Sequence, residues 1–155
     1  MPARSAGILL YRRRGAAFEV LLVHPGGPYF ATRDTGAWSI PKGEYGSDED
    51  PLTAARREFE EELGSPAPHG HVIDLGEVRL KSGKLVRAWG APGDLDTRTL
   101  HSNTCELEWP PRSGRTIEIP EVDRAEWFVL GEARERINPA QVALIDRLVQ
   151  ADGAV

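Results

Sequence analysis

Three carboxylates, Glu58, Glu61 and Glu62, stand at i, i+3 and i+4 in the run Arg57-Glu-Phe-Glu-Glu-Glu-Leu-Gly64. On a helix, positions three and four apart are neighbours. At 100° per residue the three side chains fall within an arc of about 100°, while Glu60 points elsewhere. Like charges held together repel, and hard divalent cations such as Mg²⁺ or Mn²⁺ are the species that oxygen donors of this kind hold best. Cations so held would bind phosphate oxygens, offset their charge and help generate hydroxide from water. Arg57 adjoins the trio, and its planar fork can pair with a carboxylate and fix its orientation. Taken alone, such a cluster is more often a solvated acidic face.

The segment carrying these acids has a helix's punctuation. Asp50 can cap, Pro51 suits the first helical position, and Gly64 suits the stop, which predicts a helix from Asp50-Pro51 to about Leu63. Leu52, Ala55, Phe59 and Leu63 form its core stripe, with the glutamates beside it. Residues 5–11 and 18–23 read as strands, with 12–17 as the turn between them. Ala37-Trp-Ser-Ile40 is a short extended run halted by Pro41. Residues 72–80, 85–89, 106–109, 116–119 and 127–130 are further strands, 131–137 and 140–150 are helices, and 90–104 shows no clear pattern. The expectation is one mixed α/β domain over 1–155, with helices packed on a single sheet.

The wider spacing is more specific than the trio. Gly43 is followed by five residues, then Glu49, then seven more, then Arg57-Glu58-Phe59-Glu60-Glu61-Glu62-Leu63-Gly64. This resembles the Nudix box at all seven identity-fixed positions, and a motif so long matches by chance far less often than most short ones. The last, apolar position of the box is Ser65 here. Trp38-Ser-Ile-Pro-Lys-Gly-Glu44 is similar to the strand entering the Nudix loop, and 121–128 with the helix after Pro139 looks like the family's last strand and closing helix.

The resemblance implies the Nudix fold, a mixed β-sheet sandwiched between α-helices (α/β/α), and a hydrolase that cleaves the pyrophosphate linkage of a nucleoside diphosphate derivative. It implies Glu58, Glu61 and Glu62 as ligands for Mg²⁺ (Mn²⁺ substituting), and Glu58 or Glu61 as a candidate general base. Arg57 would orient a glutamate, and Glu49 would support the loop or the metal shell. Gly43 would permit the tight loop entry, with its carbonyl able to reach a metal. A further acid from outside the box is expected, with Glu121 first and Glu106 and Glu108 as rivals. The run from Trp38 to Gly43 favours dinucleoside polyphosphates or related nucleotides. Nucleoside triphosphate or ADP-ribose cleavage follows, and a nucleotide-sensing module without activity is the rival from another class.

Outside the box, Lys42 is a candidate phosphate contact. Tyr29, in the Gly/Pro-rich loop 24–36, is a candidate stacking partner for a base. Trp38 reads as core, Arg12-Arg13-Arg14 as a solvated turn, His69 and His71 as solvated loop residues, and Cys105 as a buried small apolar side chain. The net charge of −5, from 24 acids and 19 bases, argues against a nonspecific binder of nucleic acid duplexes but not against a small phosphorylated ligand. No stretch approaches the roughly 20 apolar residues of a bilayer span, and three arginines halt the apolar run at 8–11, so no signal peptide is expected. The single cysteine favours a reducing compartment such as the cytoplasm.

Overall fold

A computed structural model of the chain describes residues 2–152, so Met1 and residues 153–155 of the expected domain lie outside it. In chain order the strands are β1 (Arg4–Arg14), β2 (Ala17–Pro25), β3 (Lys42–Glu44), β4 (Ile73–Arg79), β5 (Leu85–Pro92), β6 (Thr104–Glu108), β7 (Thr116–Pro120) and β8 (Val122–Val129). The helices are α1 (Pro51–Leu63), α2 (Leu130–Arg136) and α3 (Val142–Asp152), with short 3₁₀ turns at Thr97–Thr99 and Pro139–Gln141. The main sheet runs β4-β5-β1-β2-β8, with β3 also paired to β1. It is mixed, because β1 and β5 are parallel and the other pairings antiparallel.

Both faces of the sheet are buried, which explains why β1 and β2 read as near-continuous apolar runs rather than alternating ones. Ala6, Ile8, Leu10, Leu21 and Val23 pack against Ala54, Ala55, Phe59 and Leu63 of α1. Leu9, Tyr11, Val20 and Leu22 pack on the opposite side with Trp38, Phe128, Ile145 and Leu148. The result is the expected sandwich, helix on sheet on helix.

Strand β1 changes partner along its length, and this opens the site. Its far end pairs with β2 from Tyr11↔Val20 to Arg14↔Ala17, whereas Ser5–Gly7 pair with β3. The segment from Trp38 to Glu44 fills the gap where β1 and β2 part. The Ser39 backbone exchanges hydrogen bonds of 2.8 and 2.9 Å with Val23, and the Ile8 amide donates to the Pro41 carbonyl at 3.2 Å. Pro41 has no amide to offer, so this interrupted pairing suits it. Gly7 is required by the approach, since a Cβ there would lie 2.5 Å from the Pro41 carbonyl oxygen.

Several expectations are corrected. Strand β1 continues through the arginines, leaving only Gly15 and Ala16 as the turn. Arg12 is largely covered, paired with Glu19 at 2.8 Å and also with Asp94, and its guanidinium lies 4.0 Å from the centre of the Trp127 ring. Cys105 is exposed, because the β6–β7 ribbon stands apart from the main sheet with no core beneath it. The last strand begins at Val122, five residues before the expected Trp127, and Leu130 already belongs to α2. Trp38 is fully buried, and His69 and His71 are exposed, as expected.

Candidate active site

Helix α1 supplies most of the chemistry. The Asp50 carboxylate accepts from the Thr53 amide at 3.0 Å, and the Gly64 amide donates to the Glu60 carbonyl at 2.8 Å from a left-handed conformation, φ 77°. Between these caps, Glu58 and Glu62 fall on the buried side of the helix with the core stripe, each only 7% exposed. Glu60 is exposed, and Leu52 is only half-buried. After Gly64, half-buried Ser65 takes the box's apolar position, and Ala67 provides the buried side chain nearby.

Glu121, which joins β7 to β8, completes the group. One carboxylate oxygen from each of Glu58, Glu62 and Glu121 lies within 4.8 Å of the others. Glu58 and Glu121 line a cavity of about 370 Å³ with Glu61, Lys42, Gly43 and Lys84, while Glu62 lines a smaller one with Lys42 and Glu121. The structure does not bring Glu106 or Glu108 there. Both lie exposed on β6, and Glu108 accepts from the amides of Arg112 and Gly114 in the ribbon's own turn.

Arg57 organises the acids. It forms a two-pronged pair with Glu49, Nε and Nη2 each 3.0 Å from a carboxylate oxygen, and its Nη1 reaches Glu58 at 2.8 Å and Glu61 at 3.3 Å. Glu49 therefore sits on Arg57, supporting the orienting arginine, rather than within the three-acid group. Gly43 lies flush against Glu58, and a Cβ there would collide with that carboxylate. Only glycine allows so close an approach.

Burial dominates the electrostatics of the three acids. Burial, helped by Glu61, raises the Glu58 carboxyl pKa against the opposing pull of Arg57. Burial lifts Glu62 to about 8 despite the attraction of Lys42. Glu121 is raised by burial and by Glu61. Lys42 is lowered by burial, with Glu62 as its main favourable partner, and its amide donates to Glu62 at 3.3 Å. Acids this close and this perturbed fit a divalent cation, whose charge would reverse all three shifts.

The flanks are tied down by residues with no motif. Gln141, buried, accepts from the Ile40 amide at 3.0 Å and donates to the Ser39 hydroxyl at 3.0 Å, locking the box's entry strand to the closing helix region. The loop after β2 is pinned where it returns. The buried His24 ring has its nitrogens 2.7 Å from the Asp123 carboxylate and 2.7 Å from the Arg33 carbonyl. Asp34 accepts from Trp38 Nε1 and from Arg136, both at 2.7 Å. Tyr29 lies between these anchors and the Gly26 amide's bond to the Glu121 carbonyl at 3.1 Å. It is 49% exposed and is not part of the acidic cavity. Sequence reasoning missed Gln141, His24 and Lys84, for none carries a local signal and each acts through a partner distant along the chain.

The family model described as NUDIX domain matches residues 1–148. Among solved structures, the fold is similar to a C. elegans Ap4A hydrolase binary complex, 19% identical, TM-score 0.67, covering 97% of this chain and 99% of that one. It is similar also to the NUDIX domain of Shewanella oneidensis NrtR complexed with ADP ribose, 15% identical, TM-score 0.65, covering 97% and 88%. A third is the Nudix hydrolase RenU from M. smegmatis, 22% identical, TM-score 0.58, covering 97% and 86%. No curated protein matches the chain by sequence. The structural likenesses carry the fold, while the family match over nearly the whole chain and the intact box carry membership: the chain belongs to the NUDIX domain family and is of its pyrophosphohydrolase type.

Proposed function

We propose that the protein hydrolyses the pyrophosphate linkage of a nucleoside diphosphate derivative in a reaction dependent on Mg²⁺ or Mn²⁺, with dinucleoside polyphosphates as the favoured class. The observation that supports this most is the convergence of Glu58 and Glu62 with Glu121, which lies outside the box, beside Lys42. Similar folds that include an Ap4A hydrolase and a domain complexed with ADP ribose support a nucleotide carrying a diphosphate. The lone cysteine supports a cytoplasmic setting.

Glu58, Glu61 and Glu62 would hold the cations, with the Gly43 carbonyl as a further donor from the loop. A divalent cation so held supplies neutralising charge for phosphate oxygens and acidifies water. Lys42 contributes a point charge to a phosphate oxygen. Arg57 keeps Glu58 and Glu61 aimed, with Glu49 bracing it. For the base we favour Glu121 over Glu58 and Glu61. It is in no ion pair among the described residues, whereas Arg57 holds both Glu58 and Glu61. The attacking water gives its proton to that carboxylate and its oxygen to one phosphorus. The bridging oxygen leaves on the other phosphate, so one water is consumed and two phosphate-ended products form.

Mass spectrometry of products from dinucleoside polyphosphates, nucleoside triphosphates and ADP-ribose, with Mg²⁺ or with EDTA, tests this reading. The expected result is cation-dependent cleavage of at least one, lowered about a hundredfold or more by Glu62→Gln with the melting temperature kept. Cleavage undiminished by EDTA or by Glu62→Gln would remove the assignment.

A further inference from the structure

Beyond the acid group, the β6–β7 ribbon and the loop after β2 run side by side. The ribbon is spliced to the site at its base, where the Asn103 amide donates to the Glu61 carbonyl at 2.8 Å and the Glu121 amide donates to the Asn103 carbonyl at 2.8 Å. From there the two segments stay in contact outward. A Cβ on Gly26 would collide with the Pro120 carbonyl, and one on Gly27 would lie 2.6 Å from Ile119 Cδ1. Farther out, Tyr29 meets Trp109 edge to face, ring centres 5.2 Å apart at 85°. Tyr29 is half exposed, Trp109 is not fully covered, and neither belongs to the two core clusters of the sheet.

We propose that Tyr29 and Trp109 form a platform on which the far base of a two-base substrate stacks, making them specificity-determining residues for dinucleoside polyphosphates. Length carries the argument. Thr104 pairs with Pro120, next to Glu121, and Trp109 follows the end of β6, five residues on from Thr104. At a rise of about 3.3 Å per residue, Trp109 lies roughly 17 Å along the ribbon from Thr104. That reach exceeds the span from a cleaved phosphate to the base of the same nucleotide, and it suits a second nucleoside at the end of a polyphosphate. Stacking accepts any base, so the platform reads the presence of a second base rather than its identity.

This inference rests on the hydrolytic reading above, and the test separates the two. Diadenosine tetraphosphate and adenosine tetraphosphate have equal phosphate lengths and differ in the second nucleoside, which carries the second base. Tyr29→Ala and Trp109→Ala are expected to raise KM about tenfold or more for the two-base compound with kcat kept, and to change KM less than twofold for the one-base compound. Trp109→Phe, which retains a ring and tolerates the fold, should restore most of the difference. Equal effects on both compounds, or none, would overturn the platform. A non-cleavable methylene analogue of diadenosine tetraphosphate gives an independent readout, as quenching of the fluorescence component that Trp109→Phe removes. Quenching without turnover of any nucleotide keeps the platform and removes the hydrolytic reading. Turnover without quenching does the reverse.

Discussion

Gly43 shows how much one missing side chain decides. With Glu58 pressed against its Cα, Gly43→Ala must displace that carboxylate. We expect the variant to fold with an unchanged circular dichroism spectrum and to bind Mn²⁺ at least about tenfold more weakly by calorimetry, a loss typical of disturbed ligand support. The same acids set a pH dependence. Glu58, Glu62 and Glu121 all have raised pKa values, Glu62 to about 8, so protons compete with the cation through the neutral range. Cation binding must expel those protons, and affinity therefore falls as pH falls below about 8 and levels off above it. Mn²⁺ titrations at pH 6, 7 and 8.5 should show it, with a slope approaching tenfold per pH unit for each proton released; a flat profile would contradict the shifts. The helix acids were readable because their spacing is local and a helix converts spacing into proximity. Glu121 could be read as the first of three candidate acids but not separated from Glu106 and Glu108, because its place depends on the ribbon that returns the chain to α1.

Helix α1 is specified at both ends by single residues. Asp50→Ala removes the cap to Thr53 and should lower unfolding stability by about 1 kcal/mol in urea titration, with little change in kcat. Its boundaries were legible for this reason, as were β2 and the body of β1, whose apolar runs are long, and the hairpin of β4 and β5 around the Ser82-Gly83 turn. Other elements resisted reading because tertiary contacts override their local sequence. Three consecutive arginines look like a solvated turn, yet Arg12 extends β1 because Glu19, Asp94 and the face of Trp127 lie ready to cover it. The ribbon's strands were found, but nothing local showed that they pair only with each other, so Cys105 was placed inside when it lies outside.

At the scale of the molecule, one sheet serves both helical layers, and β1, β2, β5 and β8 each contribute side chains to both cores. Such a chain should unfold as one unit. Tryptophan fluorescence and far-ultraviolet dichroism are expected to report the same thermal midpoint, and saturating Mn²⁺ should raise it by mass action, an increase abolished by Glu62→Gln. Two resolved transitions would contradict a single domain. The pinned loop has a different consequence. His24 and Asp34 clamp its returning end, and Gly26 and Gly27 fasten its departing end against Glu121 and Ile119, so residues 28–32 form an arch whose footings are independent of its span. That makes the arch an exchangeable part: a lineage could retune which molecules are accepted by rewriting those five positions, while the catalytic apparatus underneath is inherited intact.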